Sequence, residues 1–213
     1  MNEILHWMLH ADEYIGEFIK SYGAWTYLIL FLIFFVETGL VVVAFFPGDG
    51  LLFSAGLFAA AGTLNLPLLI VFLTLATILG NTSNFFIGRF FGDRFFKEEQ
   101  TLWGQQVAKA HLYHKRYGPW AITLSRFVPF MRTLVPFTAG LTHMSFTLFT
   151  PYNALGGLAW IVAYLLAGYF FGEIPWVKEH YGLIFSGLLL FIILVLLYGV
   201  VQSLWKQRKK GKI

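Results

Sequence analysis

Apolar and polar positions fall in long blocks along this chain. Residues 2–20 place Ile4, Trp7, Met8, Ala11, Tyr14, Ile15, Phe18 and Ile19 at spacings of three and four, with acids between them. That is the pattern of a helix lying in a membrane interface. Residues 24–46 carry Glu37 as their single charge and run into Phe46-Pro47-Gly48-Asp49-Gly50, after which Leu51 to Ala61 is apolar again but too short to span. Pro47 lacks an amide hydrogen and Gly48 and Gly50 are poor helix formers, so a break is expected at membrane depth, with a re-entrant hairpin of two unequal limbs. A long apolar helix follows from Asn65 and Pro67 to about Gly92. The loop 93–118 is polar and basic. From Pro119 the chain is apolar once more until Ser125-Arg126-Phe127-Val128-Pro129-Phe130-Met131-Arg132 and Pro136 interrupt it before Gly140, which predicts a second re-entrant hairpin. Residues 146–172 and 183–205 are further spans, and the tail from Lys206 carries five basic residues.

The predicted fold class is therefore an all-α integral membrane protein: two inverted re-entrant helical hairpins, about three full transmembrane helices and an N-terminal interfacial helix. The expected organisation is an interfacial helix over 1–23, a membrane domain over 24–175 with repeats at 24–92 and 119–172, a last transmembrane helix over 176–205, and a basic tail over 206–213. Composition agrees, with 58% hydrophobic residues and 12% charged among 213, against about 25% charged in a soluble domain. The formal net charge of +4 resides mainly in the 93–118 loop and the tail. It predicts that both are cytoplasmic and that the N-terminus is outside, and it gives no indication of nucleic acid binding. The acids near the N-terminus are unlike the basic start of a cleaved signal peptide. Cysteine is absent, which removes disulfide and thiolate chemistry.

An internal repeat is legible. Pro47, Phe53-Ser54-Ala55-Gly56-Leu57 and Gly88-Arg89-Phe90-Phe91-Gly92 are echoed by Pro129, Phe137-Thr138-Ala139-Gly140-Leu141 and Gly168-Tyr169-Phe170-Phe171-Gly172, at offsets of 82, 84 and 80 residues. Inverted repeats with helices broken near the midplane are the architecture of secondary transporters.

Setting aside charges in loops, tails and helix ends leaves Glu37, Asp49, Arg126 and Arg132. A charge at the bilayer centre costs at least about 2.5–3.5 kcal/mol, so such groups face an interior and pair. Each arginine presents a fork of donors suited to phosphate or carboxylate. The acids are candidates for carrying protons or gating the arginines; the plain alternative is that the four neutralise one another and fix the packing. Asn81, Asn84, Ser125 and Asn153 are candidate polar lining, and Pro47, Gly48, Pro129 and Pro136 the expected hairpin breaks. His111 and His114 have a metal-ligand spacing without an obvious third ligand, so no metal or cofactor is expected, and no arrangement points to an enzyme.

Taken together, Glu37, Phe46-Pro47-Gly48-Asp49, Ala55-Gly56, Gly88-Arg89, Gly92, Ser125-Arg126-Phe127-Val128-Pro129, Arg132, Pro136, Ala139-Gly140, Asn153, Gly156, Trp160 and Gly168 resemble the DedA family of bacterial membrane proteins, over about residues 25–175. One departure is Asn81, where many members carry an aspartate. The resemblance implies facing re-entrant hairpins, residence in the bacterial cytoplasmic membrane and lipid movement across it. It implies undecaprenyl phosphate as substrate, carried from the outer to the inner leaflet with protons, and membrane lipids as partners. The family's essential acids correspond to Glu37 and Asp49 and its essential arginines to Arg126 and Arg132. A general phospholipid scramblase, a proton-coupled ion or solute exchanger and a non-transporting envelope scaffold are the other expectations, and a homo-oligomer is compatible with all of them.

Overall fold

A computed structural model gives the structure, and it describes residues 11–40, 48–95, 112–113, 115–128, 131–180, 184 and 187. Among the described residues every regular element is helical: α1 (Ala11–Gly39), α2 (Gly48–Ala60), α3 (Leu66–Phe95), α4 (Trp120–Leu124), a 3-10 turn (Ser125–Phe127), α5 (Met131–Leu141), α6 (Phe146–Gly172) and α7 (Pro175–Glu179). Three of these helices are long and apolar enough to cross a membrane, over Tyr22–Gly39, Leu66–Phe90 and Phe146–Gly172. The expected span at 183–205 lies outside the described residues, apart from two isolated positions, as do the tail, the first ten residues and the loop histidines His111 and His114.

Residues 24–46 are expected to form the longer limb of a re-entrant hairpin; of these, 24–39 lie in a helix of spanning length, and 41–47 lie outside the described residues. An apolar run of this length satisfies its own backbone and needs no break within it. A crossing here also changes the parity from which an outside N-terminus follows. Gly23, at φ 27° and ψ −98°, kinks α1 between its N-terminal part and the span. α1 ends at Gly39 and α2 begins at Gly48, and the break expected at Pro47 lies outside the described residues.

The break in the second half is explicit. The 3-10 turn gives way to an extended Val128 at φ −113° and ψ 115°, because the ring of a following proline disfavours the helical region for the residue before it. The Val128 carbonyl then accepts from Met131 and Arg132 N–H, at 3.1 and 3.3 Å, and starts α5. Pro136 makes no break and sits inside α5. Its missing N–H removes one helical bond, a loss that a helix buried along nearly its whole length tolerates.

The chain divides into two compact units. One comprises residues 1–24, 45–66 and 164–213, and the other residues 25–44 and 67–163. Within the first, Gly56 of α2 lies against Leu165, Gly168 and Tyr169 of α6, and a Cβ on Gly168 would strike the Phe53 carbonyl. Within the second, Gly140 of α5 lies against Phe85 and Arg89 of α3, and a Cβ on Gly88 would strike the Phe137 carbonyl. Every residue of one contact corresponds to a residue of the other at an offset of 84 along the short helix and 80 along the long one. The two contacts thus match position for position, the short helix α2 packing on α6 and the short helix α5 on α3. Small residues allow backbones this close where lipid supplies no hydrophobic drive between helices.

The helix ends repeat too. At the end of α2 Thr63 N–H reaches the Phe58 carbonyl with Gly62 at φ 77°, and at the end of α5 Met144 N–H reaches the Ala139 carbonyl with His143 at φ 53°. Both are left-handed caps. Gly140→Ala and Gly168→Ala should lower the thermal midpoint of the detergent-solubilised protein by much more than Gly62→Ala. The latter adds only the left-handed backbone strain of about 1–2 kcal/mol. Intrinsic fluorescence melts check this, and a wild-type midpoint for Gly140→Ala would contradict the packing.

Candidate functional site

Three of the four intramembrane charges belong to the larger unit and are buried there: Glu37 is 1% exposed, Arg126 2% and Arg132 6%. The fourth, Asp49, lies in the other unit, half-buried in the first turn of α2, where a carboxylate favours the positive end of the helix dipole.

Arg132 stands in the first turn of α5, the end at which a cation is disfavoured by the helix dipole. Glu37 of α1 answers it. Nη2 of Arg132 donates to Oε1 of Glu37 in a short charge-assisted bond. The guanidinium also lies 5.4 Å from the ring centre of Trp160 on α6, a geometry in which the ring face attracts the cation. Trp160 is fully buried and meets Phe34 of α1 edge-on at 6.0 Å. One ion pair thus ties α1, α5 and α6 together.

Arg126 is held differently, by neutral amides. Its Nη2 donates to Asn153 Oδ1 at 2.7 Å. The Asn81 amide is assigned with its oxygen toward the same Nη2, also at 2.7 Å, which lets its nitrogen donate to the Thr38 carbonyl at 3.2 Å. The reverse orientation would set two donors against each other. Asn153 is fixed in turn, its nitrogen donating to the Ile78 carbonyl at 3.1 Å and to Thr82 Oγ1 at 3.4 Å. Both hydrogens of Nη2 are therefore used. Nη1, equally buried, has no hydrogen-bond partner.

Glycines make the room. A Cβ on Gly156 would stand 2.8 Å from the Thr123 Cα and 3.2 Å from the Arg126 Cγ, and one on Gly157 would stand 3.5 Å from Nη2. The segment bearing Arg126 is further fastened by Thr123 Oγ1, which donates to the Tyr152 carbonyl at 2.9 Å.

Of the other polar positions, Asn84 donates to the Thr133 carbonyl at 2.6 Å, beside Arg132, while its Oδ1 is buried without a hydrogen-bond partner. The Ser125 hydroxyl turns back on the Ile122 carbonyl at 2.8 Å, so its proton serves its own helix end. Pro47 and Pro129 lie outside the described residues, and Gly48 opens α2. Arg89 donates to the Met144 carbonyl at 3.5 Å, near the end of α5. Among the described residues there is no cluster of three metal-ligating side chains.

The sequence reading left Trp160, Gly157 and Thr38 without a role at the site. Asn153, Gly156, Gly157 and Trp160 follow at intervals of three, four and seven, which places them on one helical face. The signal was available in that spacing.

A family model described as the VTT domain matches residues 46–170. The chain is 40% identical to Protein DedA of Escherichia coli, with 98% of this chain and 96% of the relative covered. It is 36% identical to an uncharacterised membrane protein of Mycobacterium leprae, over 85% and 82% of the two chains. It is 33% identical to the inner membrane protein YqjA of Escherichia coli, over 85% of each. No solved structure matches.

Arg132→Gln takes away the cation facing a carboxylate that is 1% exposed and is expected to destabilise the protein by about 3–5 kcal/mol. Adding Glu37→Gln should recover much of that loss, because two amides can bond without a stranded charge. Unfolding of the two single variants and the double variant measures the coupling, and strictly additive losses would contradict a direct pair.

Proposed function

The chain belongs to the DedA family of membrane proteins, and from that premise we propose that it is a lipid-phosphate transporter of the bacterial cytoplasmic membrane. In the specific form of the proposal it carries undecaprenyl phosphate from the outer to the inner leaflet, with protons. The supporting observation is Arg126: a guanidinium 2% exposed, with one arm saturated by neutral amides and Nη1 without a partner. Glu37 offsets one arginine, so among the described residues the three buried charges of the larger unit sum to plus one. A positive group at membrane depth with an orphan donor is a site for an anion.

The proposed mechanism follows from how the two arginines are held. Arg126 receives the headgroup first through Nη1. A phosphate monoester carries roughly −1.5 to −2 near neutral pH, more than Arg126 alone balances. Arg132 joins only when Glu37 gives it up, and a proton on Glu37 removes the charge that holds it. Phosphate capture and proton uptake are then linked by exchange at Arg132, and Asp49 is the second carboxylate available to carry or gate. The broken segment around Val128 and Pro129 brings the site to membrane depth as a re-entrant limb in this reading. The isoprenyl tail stays in lipid, so only the headgroup needs a polar path, which suits a chain of 213 residues.

Flipping in proteoliposomes tests this, with labelled undecaprenyl phosphate, a phosphatidylethanolamine control, and a pH gradient imposed or collapsed. The expected result is gradient-dependent movement of the isoprenyl phosphate alone, reduced at least about tenfold by Arg126→Ala and by Glu37→Gln. Equal, gradient-independent movement of both lipids would replace the proposal with a scramblase. Movement of neither would overturn lipid transport.

A further inference from the structure

A buried acceptor accompanies the buried donor of Arg126. Asn84 of α3 is fully buried, its nitrogen donates to the Thr133 carbonyl at 2.6 Å, and its Oδ1 has no hydrogen-bond partner. Turning the amide would not help, because its oxygen would then face the carbonyl, acceptor against acceptor. Asn84 stands three residues beyond Asn81 on the same face of α3, at a spacing that sets Cβ atoms about 5–6 Å apart. Asn81 is assigned with its oxygen on Nη2 of Arg126, and Thr133 is the chain neighbour of Arg132. The site thus offers an unpaired donor on Arg126 and, one helical turn from the residue that holds Arg126, an unpaired acceptor. Unmade hydrogen bonds at buried groups are costly, so each is a reason to look for a ligand that makes both.

We infer that Asn84 reads the protonation state of the headgroup: Oδ1 accepts the P–OH hydrogen while Arg126 Nη1 donates to an ionised oxygen, so a phosphate monoester docks as its monoanion and brings one proton of its own into the site. This rests on the anion-binding reading above and deepens it by naming the form that binds first. The dianion would set a bare oxygen against Oδ1, two acceptors with no hydrogen between them. Charge points the same way. Among the described residues the buried charges of the larger unit sum to plus one, which a monoanion balances and a dianion exceeds for as long as Glu37 keeps Arg132. Within the apolar stretches around this space the charged groups are Glu37 on α1, Arg126, Arg132 on α5 and Arg89 on α3, the last turned on the Met144 carbonyl at 3.5 Å. α6 carries no charged residue, and its Tyr152 meets Trp120 edge-on at 5.2 Å. Charge alone does not tell a monoester monoanion from a phosphodiester, which has the same single charge and no P–OH. Oδ1 does.

The test is equilibrium binding of dodecyl phosphate and of its methyl diester to the full-length protein in dodecyl maltoside, for wild type, Asn84→Ala, Asn84→Leu and Arg126→Ala. The monoester takes up its second proton near pH 6 and the diester does not titrate in this range, so the ratio of the two affinities cancels pH effects on the protein itself. In wild type the ratio should move toward the monoester by at least about tenfold from pH 8 to pH 6. Two asparagine variants are included so that one reports if the other misfolds, and only those that elute and melt like wild type are scored. Both should bind the diester as wild type does and lose the pH dependence of the ratio, and Arg126→Ala should bind neither probe. Phosphorus-31 NMR of dodecyl phosphate bound to wild type at pH 8 repeats the reading without a substitution, and the bound signal should be that of the monoanion. A bound dianion, a wild-type ratio that is flat or rises with pH, or an asparagine variant that weakens both probes alike and keeps the pH dependence overturns the inference and leaves the anion site standing. Absence of binding in wild type, or full binding in Arg126→Ala, removes the anion site and the inference with it.

Discussion

The larger unit is organised by the cost of keeping charge away from water. Arg126, Arg132 and Glu37 are each nearly fully buried on helices that otherwise present apolar surface. Each must be held or neutralised by groups placed in advance. The two arginines show two solutions. Arg132 is matched by the charge of Glu37 and by the face of Trp160, and Arg126 is hydrogen-bonded by amide oxygens. The first solution removes net charge and the second retains it. Among the described residues, the site thus holds one more buried cation than buried anion.

Backbone proximity makes both solutions possible. Gly156 and Gly157 admit the Arg126 stem against α6, and Gly88 with Gly140 bring α5 onto α3, on which Asn81 and Asn84 also stand. In the other unit Gly56 and Gly168 repeat the same contact. Each contact joins a short helix of one repeat to a long helix of the other, so neither repeat is self-contained.

Much of this was legible in the sequence, and the rest was not for identifiable reasons. Period and composition showed apolar helices, and the break before Pro129 followed from local sterics. The four intramembrane charges stood out because apolar segments seldom carry any. Pro136 was misread as a break, since a proline signals a lost hydrogen bond but not whether the surrounding packing absorbs the loss. For residues 24–46 the apolar pattern allows either a span or a hairpin limb, because Pro47 and Gly48 follow it, and the described part, 24–39, is a helix of spanning length. The pairing of Glu37 with Arg132 across 95 residues, and the choice of amides for Arg126, depend on which helices adjoin. One chain's residue order does not contain that. The membership in the DedA family came from particular residues, and those residues include most of the ones that build the site.

The most direct measurement of the central claim is nitrogen-15 NMR of the arginine guanidinium groups in the micelle-bound protein, titrated with a long-chain alkyl phosphate, with Arg126→Lys used to assign the signal. The account predicts that the Arg126 Nη1 resonance shifts and gains a through-hydrogen-bond coupling to phosphorus, while Nη2 keeps its position. An Arg126 signal that is indifferent to the phosphate at saturating concentration would contradict it.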